Sequence, residues 1–190
     1  MSAGDAALGP GSENGAQMSL SADDERQIAD LVVRYADAVS SADPARWRDT
    51  WADQSQWHLR TRTIEGREAI VAAWTQFLPT YDAVVQMVTR GWVSGTDGEA
   101  RGRWLVLEIF RKVDAGHDMM QVTSYTDRYV RPEGRWLFAE RRIAVVYRRE
   151  MPPGEFLPWV SIPDGVSPPG ISPVSAEADR GVPVEHPGAP

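Results

Sequence analysis

The chain has 190 residues, no cysteine and a formal net charge of −7. That length supports one substantial core and hardly two. The missing cysteines remove disulfides, thiolate nucleophiles and cysteine-held metals, and the acidic balance argues against a track for nucleic-acid phosphates. Positive charge comes from nineteen arginines and a single lysine, Lys112, so Schiff-base chemistry has one candidate, beside a turn expected at 114–116. No stretch approaches the ~18 apolar residues of a membrane span. A soluble, cytoplasmic protein is expected, with no membrane and no nucleic-acid partner.

Residues 1–20 are mostly small and polar. Nothing in them offsets the entropy of ordering a backbone, so a flexible segment is expected there. They also lack the basic start and apolar run of a signal peptide. Residues 151–190 hold ten of the fourteen prolines and read as a proline-rich extension that cannot form an interior strand. Within it, Phe156, Leu157, Trp159, Val160 and Ile162 form an apolar patch suited to strap across the body or onto a partner subunit. The working domain is expected at 21–150.

Within that domain, Ser21 followed by Asp24 and Glu25 reads as a helix N-cap with an acidic first turn. Ile28, Leu31, Val32, Tyr35, Ala36 and Val39 then recur at helical spacing. A second short helix is expected from about 44 to 51, with Pro44 in its first turn and Trp47 and Trp51 on one face. Residues 56–62 alternate enough to read as a strand or a short extended arm. A third helix follows Gly66, over about 67–78, and Pro79 stops it. From residue 84 the apolar period becomes two, which predicts strands at about 84–94, 99–112, 118–130 and 135–148, joined by turns at 95–98, 114–116 and 132–134. Helices followed by hairpin-linked strands mean an α+β domain with a meander rather than βαβ units.

No phosphate loop, HExxH, EF-hand or GxSxG motif occurs, and His58, His117 and His186 stand in unrelated contexts, so neither a metal nor an organic cofactor is expected. Glu108 sits in the apolar run WLVLEIF, with Trp104, Val106 and Phe110 as expected facemates. Burial would raise its pKa, whereas pairing with an arginine would lower it. Gln121, Thr123, Tyr125, Asp127 and Tyr129 share one face of the next strand. Leu137, Ala139, Arg141 and Ile143 are expected to share a face of the last, where Arg141 needs a partner. Glu108 and Asp127 are the candidates.

Several pieces, taken in order, resemble the nuclear-transport-factor-2-like superfamily, and especially its SnoaL-like branch. They are RQIADLVVRYADAV (26–39), RWRDTWADQSQW (46–57), IEGREAIVAAW (64–74), the strand around Gln86, and SYTDRYVRPEGRWLFAERR (124–142). The resemblance implies a cone in which a helical hairpin and a third helix pack on a strongly curved antiparallel or mixed sheet around an apolar cavity. It also implies assembly as a homodimer or homotrimer through the outer sheet. Members include scytalone dehydratase, hexachlorocyclohexane dehydrochlorinase, steroid isomerases, polyketide cyclases and proteins without known catalysis.

The dehydratases and the dehydrochlorinase of that branch use an aspartate to orient a proton-abstracting histidine. Alignment puts Ser40 at the aspartate position and Gln86 at the histidine position, and neither side chain reproduces the role. Arg90 stands where asparagine is frequent. Arg141 matches an arginine that holds a leaving group or anionic oxygen. Tyr125 and Asp127 match a recurrent Y-x-D feature, and Tyr35 and Trp57 are expected at the pocket. His58, beside Trp57 on the early extended arm, is the one near-neutral titratable side chain expected at the cavity wall. Asp43 offers either a substitute carboxylate or a helix cap.

The resulting expectation is a cofactor-independent cyclase, isomerase or dehydratase-like lyase acting on a hydrophobic oxygenated or polycyclic molecule. Arg141, Tyr125 and either His58 or Glu108 would carry the chemistry. Two alternatives are a non-catalytic small-molecule-binding or scaffold protein, and an epoxide hydrolase in which Glu108 or Asp127 positions water beside an arginine.

Overall fold

The computed structural model describes residues 19–156. Its first element is helix α1, Ala22–Ser40, capped by Ser21, whose Oγ accepts from the Asp24 amide at 3.1 Å. The stripe Ile28, Leu31, Val32, Tyr35 and Val39 is buried, and α1 packs against strand β3. Helix α2, Pro44–Arg48, is shorter than the sequence suggests. Asp43 serves as its cap, accepting from the Ala45 and Arg46 amides at 3.0 Å. Trp51 therefore opens strand β1, Trp51–His58, instead of closing a helix. Strand β2, Thr63–Glu65, and helix α3, Arg67–Phe77, follow. Four long strands complete the fold: β3 Tyr81–Gly95, β4 Glu99–Lys112, β5 Asp118–Val130 and β6 Leu137–Met151. The β5–β6 turn places Glu133 and Gly134 at positive φ.

The six strands make one mixed sheet in the order β2-β1-β6-β5-β4-β3, antiparallel throughout except for the β1–β6 pair. The meander is present, and β1 and β2 extend it beyond β6. The expected strongly curved sheet closing a cone around a cavity is corrected: the sheet is open, with β2 and β3 as its outermost strands. Aromatic side chains fill the space between helices and sheet. Trp47 stacks on Trp74 with centroids 4.5 Å apart, and it meets Trp51 and Trp57 edge-on at 5.4 Å each. Each buried indole removes roughly 150–250 Å² from water, about 4–6 kcal/mol before entropy is counted.

Among the described residues no helix is long and apolar enough to cross a membrane. The first compact unit ends at Gly154 and a second begins at Glu155. Of the apolar tail patch only Phe156 is described. Leu157, Trp159, Val160 and Ile162 lie outside the described residues, as do residues 1–18.

Candidate functional site

Two polar networks lie on the helix-covered face of the sheet. The first centres on Glu108, whose residue is 6% exposed in an apolar strand. Tyr125 donates its hydroxyl to Glu108 Oε1 at 2.6 Å, Gln86 Nε2 donates to the same oxygen at 3.3 Å, and Gln121 Nε2 donates to Oε2. Gln86 Nε2 also lies 3.2 Å from the Tyr125 hydroxyl. Outside this shell, Arg148 donates through Nε and Nη2 to Gln121 Oε1 at 3.0 and 2.7 Å. Strand register explains the gathering, since Gln86, Glu108, Gln121 and Arg148 are consecutive cross-strand partners on β3, β4, β5 and β6. Burial, reinforced by the Glu108 charge, pushes the Tyr125 pKa well above the ordinary phenol value.

The second network is a buried ion pair. Arg141 donates from Nε to Asp127 Oδ1 and from Nη2 to Oδ2, both at 2.8 Å, with the two side chains 1% and 0% exposed. Tyr129 donates to Asp127 Oδ2 at 2.8 Å and accepts from Trp104 Nε1 at 2.7 Å. The guanidinium carbon lies over three rings, at 4.2 Å from Tyr35, 4.4 Å from Tyr125 and 4.0 Å from Phe138. Burial opposes the charge on Arg141, but the Asp127 carboxylate outweighs it and holds the pKa above the ordinary guanidinium value. Burial likewise raises Tyr35, to about 12, although Arg141 pulls the other way.

Strict alternation put Leu137 beside Arg141, and the structure puts Phe138 there. The pairing of β5 with β6 runs from Tyr129↔Phe138 to Arg128↔Glu140, which leaves Ala139 as an extra residue. This bulge turns Phe138 and Arg141 to the same side.

Of the residues singled out from the sequence, Tyr35, Gln86, Glu108, Tyr125, Asp127 and Arg141 come together. Ser40 joins them through its Oγ, which accepts from the Gln86 backbone amide at 2.9 Å and donates to the Ala36 carbonyl at 2.9 Å. Trp57, paired with Arg141 across β1 and β6, is buried in the tryptophan cluster. His58, its neighbour on the strand, points to the opposite face. There its Nδ1 lies 2.8 Å from Thr63 Oγ1 and its Nε2 3.0 Å from Glu140 Oε1. Arg90 is exposed on β3, away from the group. Gln121 and Phe138 were not singled out as site residues. The period-two pattern of β5 contains Gln121, but Phe138 depends on a bulge that no residue type announces.

Surface depressions among the described residues include one of about 440 Å³ lined by Asp53, Glu65, Gly66, Arg67, Glu68 and Ala69, and one of about 360 Å³ lined by residues 90–92 and 103–105. Neither includes the Glu108 group. Among the described residues no cluster of three or more histidine, aspartate or glutamate side chains could hold a metal ion.

A profile of the SnoaL-like domain matches residues 21–142. Among solved structures, a type 2 hexachlorocyclohexane dehydrochlorinase matches with a TM-score of 0.63 at 21% identity, over 77% of this chain and 94% of its own. The type 3 enzyme from Novosphingobium barchaimii matches at 0.61 and 20% identity, over 70% and 93%. A candidate scytalone dehydratase from Novosphingobium aromaticivorans matches at 0.62 and 17%, over 66% and 86%. At these identities the likeness is one of fold. No curated protein matches the sequence significantly. The profile match covers more than half of the chain, and the protein belongs to the SnoaL-like domain family of the NTF2-like superfamily.

Proposed function

We propose that this protein is a cofactor-independent enzyme that moves a proton on a hydrophobic, oxygen-bearing small molecule, as a cyclase, isomerase or dehydratase-like lyase. The observation that carries this reading is Glu108, a buried carboxylate fed by Tyr125, Gln121 and Gln86 beside the Ser40–Gln86 contact. Its two oxygens accept three side-chain hydrogen bonds, so the carboxylate is fixed in direction, which is what a general base requires. Tyr125 and Gln86 then orient the substrate oxygen. Arg141 gives two of its five N–H donors to Asp127 and, as a permanent cation, would stabilise negative charge developing on the substrate. His58, facing Glu140 on the other side of the sheet, has no part in this scheme.

A binding protein without catalysis is the second reading. The observations favouring it are the aromatic filling of the interior and the closure of Arg141 onto Asp127. Epoxide hydrolysis is supported less, because the Asp127–Arg141 pair is bidentate and Tyr125, not an arginine, lies against Glu108. Self-association as a homodimer or homotrimer is part of the proposal. It is supported by the apolar cross-strand row Met87, Leu107, Val122 and Tyr147 on the open face, and light scattering gives the mass.

The test is capture of a metabolite by the full chain, followed by turnover of the captured compound. Glu108→Gln is expected to bind it while slowing turnover by about 100-fold or more. Capture without turnover by the unmodified protein would establish the binding reading instead.

A further inference from the structure

Arg148 is the last member of the cross-strand row that gathers around Glu108. It is exposed, and its pairing in register with Gln121 places it on the same face of the sheet as Glu108. Among the described residues no carboxylate forms an ion pair with it. Glu150, two residues on, lies instead 3.9 Å from His117. The Arg148 guanidinium gives two N–H groups to one neutral oxygen, from Nε at 3.0 Å and from Nη2 at 2.7 Å to Gln121 Oε1. Both lone pairs of that oxygen are thereby used. The other end of the same amide, Gln121 Nε2, donates to Glu108 Oε2. A guanidinium only donates and an ionised carboxylate only accepts, so both ends of the amide demand one orientation. Turned over, it would set oxygen against oxygen at Glu108 and N–H against N–H at Arg148. Gln121 is 7% exposed, so its amide depends on these protein partners.

We propose that Arg148 is a positioning residue for Glu108: through the Gln121 amide it fixes the direction in which the carboxylate faces. Tyr125 and Gln86 hold Oε1, and among the described residues Gln121 alone holds Oε2. A carboxylate held at one oxygen can still swing about it, and the second hold removes that freedom. The rigid fork of an arginine suits the task, because it grips the amide oxygen with two donors of fixed geometry. The consequence for turnover rests on the role of Glu108 as general base proposed above. The orientation of the amide does not.

The side-chain amide signals of Gln121, assigned by NMR on the full chain, test the arrangement without a substrate. Exchange of these N–H groups with solvent is expected to quicken about tenfold or more in Arg148→Met and to be largely restored in Arg148→Lys. Arg148 is exposed, so circular dichroism is expected to report an intact fold. On the captured compound, Arg148→Met is expected to lower kcat about tenfold with KM within about twofold of the parent. Gln121→Met is expected to lower kcat as much, and the double variant no further, because both break one chain of contacts. Unchanged amide exchange in Arg148→Met overturns the proposal. So does a double variant whose losses multiply, since Arg148 would then act without Gln121. Quickened exchange in a protein that turns nothing over upholds the positioning of Glu108 and refutes the proton-transfer reading instead.

Discussion

Substituting Arg141 with methionine removes a guanidinium that is 1% exposed and strands the Asp127 carboxylate, 0% exposed, opposite it. Breaking a buried pair from one side costs about 3–5 kcal/mol, because the remaining charge keeps its desolvation without its partner. Two features of this site move the figure in opposite directions. Tyr129 still donates to Asp127 at 2.8 Å, which softens the loss. The three rings around the guanidinium each forfeit a cation–π contact worth about 0.5–2 kcal/mol. A cost of about 4 kcal/mol results, or a thermal midpoint lowered by roughly 12–16 °C for a body of roughly 130 residues. Removing both charges, as Arg141→Met with Asp127→Leu, leaves no stranded ion and should stay within about 1.5 kcal/mol of the parent. Urea unfolding, followed by tryptophan fluorescence and by circular dichroism, measures all four corners of the cycle. A single variant costing less than about 1 kcal/mol, or a double variant equal to the sum of the singles, refutes the claim that the pair holds the interior together.

Two further outcomes follow from the packing and the phenols. A Cβ at Gly91 would lie 2.1 Å from the Trp104 ring, which is itself held by its bond to Tyr129 at 2.7 Å, so Gly91→Ala is expected to cost about 3 kcal/mol in urea unfolding. An unchanged unfolding midpoint would mean that the indole moves freely. Tyr35, Tyr125 and Tyr129 all hold their protons more tightly folded than unfolded, burial being the main cause. As pH rises past 10 the unfolded chain ionises first, so stability is complete below that point and is lost through the range up to about 12 for Tyr35. The slope reaches about 4 kcal/mol per pH unit if all three contribute. Tyrosinate absorbance from these residues should therefore appear together with loss of ellipticity. Ionisation with the fold intact would contradict the assignment.

Periodicity made most of the fold legible. The stripe from Ile28 to Val39 located α1, and the change of period after residue 84 located the four-stranded meander. Trp47 and Trp51 misled, because a residue four along a helix and a residue opening the next strand can both bury in one cluster, as their 5.4 Å ring separation shows. Strand β2 is three residues, with Thr63 and Glu65 exposed, and such a segment has no amphipathic signal to detect. The openness of the sheet was also out of reach, since alternation records which face is covered and not how far the sheet bends. At the site, alternation gathered the β5 residues correctly. It failed at Ala139, where one bulged residue exchanges Leu137 for Phe138 beside Arg141.

Ser40 and Gln86, which the resemblance sets at the aspartate and histidine positions of the dehydratases, are neighbours in the structure. Ser40 accepts from the Gln86 amide and donates to the Ala36 carbonyl, so it fastens the end of α1 to β3. An ionised carboxylate could accept the first bond but could not donate the second. The position has thus become a tether. Gln86, neutral at every accessible pH, cannot remove a proton, yet its amide reaches both Tyr125 and Glu108. Glu108 is the direct cross-strand partner of Gln86, one strand further into the sheet. In the proposed scheme the proton acceptor is Glu108, on β4 rather than on β3. The Glu108 carboxylate is held by a tyrosine and two glutamines. Glu108 accepts from Tyr125, Gln86 and Gln121, whereas Asp127 is paired with Arg141, so the two buried carboxylates draw on different donors.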